Sequence, residues 1–168
     1  GPNMPTRVMG THAAIRLSGG SELSARVEYQ GGNYLFDNAS TSLFAQAVHP
    51  LCTSAYELLA QDGLEQLTAW ERVYCRRTSL PRNGAIVRGD FVRLRDVSLT
   101  LPLPGRLLRS RSVSVVLAAR NYLLWKHSDL RVFDPEMGGR DGMFSPVRAI
   151  ELAVPTPASL GFSIKATY

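Results

Sequence analysis

Apolar and polar residues alternate in the first part of the chain, and this alternation predicts strands. Residues 23–29 place an apolar side chain at every second position, which is the period of a strand with one buried face. Shorter apolar runs at residues 13–17 and 34–36 end in glycines or in the turn-forming cluster 37–40. We therefore expect three strands here, followed at residues 43–48 by either another strand or the start of a helix.

A helical period replaces the alternation between residues 53 and 74. Apolar residues recur there at steps of three and four, at Tyr56, Leu59, Ala60, Leu64, Leu67, Trp70 and Val73. Thr53 or Ser54 is placed to cap the first turn, and Gly63 interrupts the period. The pattern predicts one helix or a pair of helices. Residues 76–84 have no period and are rich in turn formers, so we expect a loop.

Strand patterns return after this loop. Val92 and Leu94 fall on one face of a strand. Arg93 and Arg95 fall on the other face. Beyond Asp96 the apolar phase moves by one residue, which is what a β-bulge produces.

Further apolar runs follow towards the end of the chain. Residues 113–124 are long enough for two short strands, and residues 130–133 favour another strand. The remainder is rich in glycine and proline and leaves room for short strands at residues 147–154 and 162–166. No internal repeat is present.

Size and composition indicate one folded domain. The chain has 168 residues, of which 45% are hydrophobic and 20% charged, as in ordinary globular proteins. Gly1 and Pro2 are typical of a scar left by tag cleavage, so residues 1–10 are expected to be this scar and a flexible N-terminus. Residues 11–168 are then a single domain, with a loop-rich extension from about residue 135.

Basic residues are concentrated in the middle of the chain. Residues 72–131 contain thirteen of the nineteen Lys and Arg residues against three Asp, a net charge of +10, while six bases and eleven acids elsewhere give −5. Arginine binds phosphate through a planar, bidentate fork. The charge pattern favours a polyanionic ligand.

Two segments resemble the OB-fold domains of single-strand nucleic-acid-binding proteins, of the replication protein A and protection-of-telomeres type. Residues 34–47 resemble a strand, an Asp-led turn and a strand of those domains. Their fourth-strand entry is similar to Gly89-Asp90-Phe91-Val92-Arg93-Leu94-Arg95-Asp96-Val97. The resemblance implies a mainly β fold, an OB-like five-stranded barrel with a helix between strands 3 and 4 and a fifth strand at residues 128–133. Another small β-barrel or sandwich with a helical insert, and an α/β fold, are the alternatives.

The resemblance also implies a nucleic-acid site. OB domains bind oligonucleotides in a groove with basic side chains on the phosphates and aromatic rings under the bases. The residues placed to do this are Arg93, Arg95, Arg106, Arg109, Arg111, Tyr34, Phe36 and Trp125. Trp125 is alternatively a ring that covers the core. The expected function is binding of nucleic acid, single-stranded DNA above all, in genome or telomere maintenance or DNA repair in the nucleus.

Catalytic and metal-binding motifs are missing from the sequence, so we expect no enzymatic activity and no cofactor. His49 and Cys52 have the spacing of half a zinc site, but no second paired motif accompanies them, and no metal is expected. Cys52 and Cys75 do not make a disulfide framework, and we expect both to be reduced.

A second function remains open from the sequence. The net charge of −5 on the remaining chain could complement the net charge of +10 on residues 72–131 of another copy. Alternatively, the basic segment could contact a protein partner with an acidic surface. The chain would then be a protein-interaction module, an OB-like scaffold in a repair, telomere or viral assembly that binds no nucleic acid. Neither reading places the chain in a membrane.

Overall fold

The computed structural model describes residues 1–76, 85–104, 112–137 and 148–167. The fold is mainly β, and its elements in chain order are β1 (Arg7–Arg16), β2 (Glu22–Gly31), β3 (Tyr34–Asp37), α1 (Asn38–Ala45), α2 (Thr53–Ala60), α3 (Ala69–Tyr74), β4 (Ile86–Arg88), β5 (Phe91–Leu103), β6 (Ser112–Lys126), β7 (Ala149–Ile150) and β8 (Ser159–Thr167). The chain divides into two compact units. The helical unit consists of Gly1–Met4, Gly32–Gly89 and His127–Pro155, and the sheet unit consists of Pro5–Gly31, Asp90–Lys126 and Thr156–Tyr168.

The sheet unit is one five-stranded sheet in the order β1-β2-β5-β6-β8. Every neighbouring pair is antiparallel. Two of the pairs, β1-β2 and β5-β6, are hairpins of consecutive strands, the arrangement that short connections favour. The alternation at residues 23–29 therefore predicted β2 correctly, and the long run at residues 113–124 forms the single strand β6 instead of two short strands.

The register of the sheet separates its side chains into two faces, because residues directly opposite each other share a face. One face, called the apolar face below, consists of Met9, Thr11, Ala13, Ile15, Leu23, Ala25, Val27, Tyr29, Val92, Leu94, Val97, Leu99, Leu101, Leu103, Val113, Val115, Leu117, Ala119, Leu123, Trp125, Leu160, Phe162, Ile164 and Ala166. The other face carries most of the charged and hydroxyl side chains, with Arg7, Thr11 and Tyr29 as exceptions on the apolar side, and it also has apolar residues such as Val116 and Leu124. We call it the polar face.

The bulge predicted from the change of phase near Asp96 is confirmed. The pairing of β5 with β6 shifts between Leu94 and Asp96, and the pairing of β5 with β2 shifts between Arg26 and Val27. Against β2 the extra residue is Arg95, and against β6 the extra residue lies on β6, between Arg120 and Leu123. The apolar phase is restored beyond the bulge, so that Leu94 and Val97 lie on the same face.

The helical unit is built on a three-stranded sheet in the order β4-β3-β7, with β3 antiparallel to β4 and parallel to β7. The three α-helices lie between β3 and β4 in the chain, so the helical insert is where the sequence predicted it. Two buried clusters hold this unit together: Leu35, Ala39, Val87, Leu130, Met137 and Ile150 in one, and Phe44, Cys52, Ala55, Leu67 and Cys75 in the other. Within the described ranges, no helix has the length and apolar character needed to cross a membrane.

Side-chain caps fix where two of the helices begin. Asp37 caps α1 by accepting a hydrogen bond from the backbone N–H of Ser40. Thr68 and Glu71 form a reciprocal capping box at α3. The Thr68 hydroxyl and backbone N–H both donate to the Glu71 carboxylate, and they lower its pKa. The cap predicted for α2 at Thr53 or Ser54 is not formed, since Cys52 occupies the cap position without a side-chain hydrogen bond.

The two cysteines form a disulfide, so the expectation that both are reduced is wrong. Cys52 and Cys75 are bonded across a sequence separation of 23 residues. The bond joins the start of α2 to the end of α3, and both residues are buried. Sequence spacing gave no sign of it, because the pairing is set by how α2 and α3 pack.

The OB-like barrel is not confirmed. Neither described sheet closes on itself. The fifth strand expected at residues 128–133 is also wrong, since no strand forms there and Leu130 instead fills the first buried cluster. At the other end, β1 begins at Arg7, inside the segment that was expected to be flexible.

Candidate functional site

The residues predicted to bind nucleic acid belong to both units. Arg93, Arg95 and Trp125 are in the sheet unit, and Tyr34 and Phe36 are in β3 of the helical unit. Three further predicted residues, Arg106, Arg109 and Arg111, lie outside the described residues.

Neither arginine of β5 is a fully exposed side chain. Arg93 is only 2% exposed. Arg95 places its Nε 2.8 Å from an Oε of Glu28 on β2. On the same face, Arg120 of β6 lies 3.4 Å from the carboxylate of Asp96. The basic segment is thus partly neutralised, by its own Asp96 and by Glu28, which pairing with β2 brings next to Arg95.

The aromatic residues of the prediction differ in their surroundings. Trp125 lies on the apolar face beside Val92 and is 57% exposed, so it covers no closed core. Tyr34 is 42% exposed. Phe36 is half-buried in β3 between β4 and β7.

The candidate site that the structure does form is a cavity within the helical unit. Its volume is about 370 Å³, which is within the range of small-ligand sites. It is lined by Asp37, Ser40, Phe44, His49, Leu51, Trp70, Tyr74, Ala85, Ile86, Val87, Asp129 and Arg131. These residues come from the end of β3, from α1, from the segment between α1 and α2, from α3, from β4 and the residue before it, and from the segment after β6.

One part of the lining is a buried hydrogen-bonded chain. The Ser40 hydroxyl donates to Asp37 Oδ2 at 2.7 Å, and its backbone N–H donates to Oδ1 at 2.9 Å. His49 Nδ1 accepts from the backbone N–H of Leu51 at 3.3 Å, so the proton of the neutral ring is on Nε2. That atom lies 3.4 Å from Ser40 Oγ.

The direction of the hydrogen bonds between Asp37, Ser40 and His49 differs from that of an activated serine. The Ser40 proton is directed at Asp37, whereas an activated serine gives its proton to the histidine. Burial lowers the pKa of His49 below its ordinary value, and the charge of Asp37 opposes that effect. His49 is consequently a neutral ring at pH 7.

Aromatic rings form another part of the lining. Phe44 stacks on His49 with 3.9 Å between ring centroids. Trp70 and Tyr74, one turn apart on α3, stack at 5.1 Å. The guanidinium carbon of Arg131 lies 4.8 Å above the Trp70 ring, a cation–π arrangement.

Two charged side chains of the cavity differ in how they are engaged. Asp129 Oδ2 accepts from the backbone N–H of Arg88 at 3.4 Å. It also lies 3.3 Å from His127 Nδ1, but that nitrogen accepts from the backbone N–H of Asp129 at 3.2 Å, so a neutral ring has no proton there for the carboxylate. Arg131 makes no ion pair with any residue in the described ranges.

Sequence reasoning did not find this cavity. The period of the helical segment marked Trp70 as an apolar position, and His49 was considered only as half of a zinc site. In the part of the chain that the structure describes, no three His, Cys, Asp or Glu side chains are grouped to hold a metal ion. The spacing of Trp70 and Tyr74 was the available signal, but nothing in it linked α3 to Asp129 and Arg131.

No protein-family model matches the chain, and a search of curated proteins gives no match. Solved structures do match. The RagAB peptide importer in its "open-open" state has a TM-score of 0.63 at 19% identity, covering 98% of this chain and 17% of that chain. A structure of the RagAB peptide transporter gives 0.66 at 19%, covering 96% and 17%, and the importer in its "closed-closed" state gives 0.58 at 21%, covering 92% and 16%.

At these identities the match shows a shared fold, and the chain spans about a sixth of the length of the chains it matches. The OB-fold resemblance was wrong, because the neighbours are peptide-importer chains. The predictions built on that resemblance fail with it: single-stranded nucleic acid as the ligand, telomere or repair function, and a nuclear location. The alternative prediction of a protein-interaction module agrees better with the neighbours.

Proposed function

We propose that the chain is part of a peptide-transporting polypeptide at the cell envelope, where it contacts peptide or protein partners and catalyses no reaction. The observation that carries the proposal is the likeness of its fold, over nearly the whole chain, to chains of a peptide importer. An importer acts at a cell boundary, so the cell envelope is the location that follows from the proposal.

The disulfide supports a location outside the cytoplasm. Cytosolic thiols are kept reduced, and stable disulfides accumulate in oxidising compartments such as the periplasm and the cell surface. Cys52 and Cys75 are both buried beneath the helical unit's aromatic residues. A buried bond of this kind has a structural role and is not a catalytic thiol pair.

The apolar face of the sheet unit supports contact with a membrane. Large side chains on that face are exposed on several strands, among them Leu117, Leu123, Leu160, Phe162 and Ile164. Soluble monomers rarely leave so continuous an apolar surface open to water. The five strands have 9 to 15 residues, and 9 to 11 or so tilted residues cross the hydrocarbon of a bilayer. We propose that the apolar face lies against lipid.

The polar face is suited to contact with water or protein. Its side chains pair across the strands: Ser24 and Ser98 hydroxyls are 2.8 Å apart, and Arg95 pairs with Glu28. Charged and hydrogen-bonding groups of this kind are stable next to water or protein and are costly against hydrocarbon. The sheet unit therefore has one face for each medium.

Tryptophan quenching tests the membrane contact. The chain has two tryptophans, so Trp70→Phe leaves Trp125 on the apolar face as the single reporter. In vesicles whose lipids carry brominated acyl chains, we expect strong quenching of Trp125. The matched Trp125→Phe variant leaves Trp70 in the helical unit, whose fluorescence should change little. Equal quenching of both reporters, or of neither, would contradict the proposed orientation.

Ligand binding tests the transport role. Labelled peptides of mixed sequence should bind the chain in anisotropy titrations, and labelled oligonucleotides of similar length should not. A chain that binds oligonucleotides but no peptide would overturn the proposal.

A further inference from the structure

We infer that the cavity of the helical unit and the outer edge of β4 form one binding site, which takes an extended peptide segment bearing a carboxylate. The inference rests on the proposed function for the class of ligand. The arrangement of backbone groups, rings and charges around the cavity specifies how such a peptide is held.

The first step concerns the edge of β4, which is the outermost strand of its sheet in the described residues. Leu35 pairs with Val87, and Phe36 pairs with Ile86. The backbone N–H of Phe36 donates to Arg148 at 3.1 Å, on the β7 side. Because backbone groups alternate in direction along a strand, Leu35 and Val87 form the hydrogen-bonded pair, and the N–H and C=O groups of Ile86 and Arg88 point outward.

The second step concerns what occupies that edge. The outward N–H of Arg88 donates to the carboxylate of Asp129 at 3.4 Å, where a neighbouring strand would place a carbonyl. The N–H and C=O of Ile86 have no recorded partner among the described residues. The edge is therefore open at Ile86, and an open strand edge pairs readily with an added strand. The Ile86 side chain is 53% exposed and belongs to the lining of the cavity.

The third step concerns the side chain that the peptide would place in the cavity. Its volume of about 370 Å³ suits one large side chain with adjacent backbone. Phe44, Trp70 and Tyr74 offer ring surfaces. The polar groups of Ser40 and His49 are already hydrogen-bonded to Asp37, to each other or to the backbone. An apolar or aromatic side chain can therefore fill the cavity without leaving a buried polar group unpaired.

The fourth step concerns charge. Arg131 is exposed, is held over the Trp70 ring, and has no ion pair in the described ranges. A ring contact does not use the N–H groups of a guanidinium, so they stay available to bind a carboxylate bidentately. A peptide supplies a carboxylate from its C-terminus or from an Asp or Glu side chain.

Three short peptides separate these sources: Val-Val-Phe as the free acid, the same peptide as its C-terminal amide, and acetyl-Val-Asp-Phe amide. Binding is followed by Trp70 fluorescence in the Trp125→Phe variant, which has no other tryptophan. We expect the free acid, the Asp peptide or both to bind about tenfold or more tightly than the neutral amide, the range of a charge-assisted hydrogen bond. Equal binding of all three would overturn the role of Arg131.

The variant Arg131→Gln, made in the same background, should reduce the preferred peptide to the affinity of the neutral amide. Arg120→Gln is the matched control, since Arg120 is an exposed arginine of the sheet unit that pairs with Asp96. It should leave the preference unchanged. A preference that survives Arg131→Gln would show that another cation binds the carboxylate.

The backbone pairing has its own test. Ile86→Pro removes the outward N–H while keeping the Leu35–Val87 pair, and proline is tolerated on edge strands. N-methylated forms of the preferred peptide probe the same hydrogen bonds without altering the protein. Each change should weaken binding about tenfold, and full affinity of every N-methylated peptide would exclude strand addition. If a peptide binds tightly and none of these changes weakens its binding, the proposed site is wrong but the proposed function is not contradicted. The Trp125 quenching experiment tests the proposed function without involving the cavity.

Discussion

The two units of the chain are stabilised in different ways. The helical unit has two buried clusters, a disulfide and side-chain caps, so most of its apolar residues are withdrawn from solvent. The sheet unit has regular antiparallel pairing but leaves the large side chains of its apolar face exposed. The helical unit contains its own core, whereas the apolar face of the sheet unit is largely open, and under the proposed function lipid covers it. In the helical unit, the exposed fraction of an apolar side chain therefore measures how well the core is packed. In the sheet unit, it measures how much apolar surface is left for another partner to cover.

Removing the disulfide should have the largest effect, and the effect should be confined to the helical unit. Cys52→Ala combined with Cys75→Ala opens a loop with a sequence separation of 23 residues, at a cost of about 3 kcal/mol in the free energy of unfolding. Hydrogen exchange should accelerate in α2 and α3 and stay unchanged in β2 and β5. Reduction of the parent protein is the control for the lost sulfur atoms. Equal acceleration in both units would mean that they unfold as one.

A charge on the apolar face should have the next largest effect, and only in lipid. Phe162 and Ser163 are consecutive residues of β8 that face opposite ways, opposite Leu117 and Val116. Phe162→Lys should destabilise the chain in vesicles by about 2 kcal/mol or more. Ser163→Lys should be nearly neutral. Denaturant titration in vesicles and in water provides the measurement, and a Phe162→Lys variant as stable as Ser163→Lys in vesicles would refute lipid contact.

The sequence predicted the sheet unit better than the helical unit, because the pattern there is local. Alternation predicted β2, and the phase change near Asp96 located the bulge of β5. It did not reveal that the apolar face is open, since a period of two is the same against a core and against lipid. The basic segment was also misjudged, because charge along the chain says nothing of the acids, such as Glu28, that pairing brings alongside.

The candidate cavity could not be predicted, because its parts are distant in sequence. Asp37, Trp70 and Arg131 come from three separate segments, and only the packing of α1, α3 and the segment after β6 brings them together. The disulfide could not be predicted from the sequence for the same reason. Cysteine count argued for free thiols, whereas the packing of two helices places the sulfurs in contact.

Helix caps sharpen the comparison on a smaller scale, because the predicted cap at Thr53 does not form, whereas Thr68 caps α3. Thr68→Ala removes a capping box and should cost about 1 kcal/mol. Thr53→Ala is the matched control, since Thr53 only donates to the Pro50 carbonyl at an exposed position. It should cost a few tenths of a kcal/mol or so. Thermal unfolding of the two variants measures the difference, and equal losses would show that the reciprocal geometry at α3 contributes nothing.

The smallest effect expected is a loss of stability in acid that is specific to the helical unit. Burial lowers the pKa of His49 in the folded chain, so the unfolded chain binds the proton more readily, and stability is complete above the ordinary histidine pKa of about 6.5. It falls as the pH drops through the lower folded value, and nearby Asp37 limits the loss. His49→Gln should flatten this part of the pH profile of α1 hydrogen exchange, while His12→Gln in exposed β1 should leave it unchanged. A profile that keeps its slope without His49 would assign the acid sensitivity to carboxylates, and the neutral, stacked ring would then contribute only its packing against Phe44.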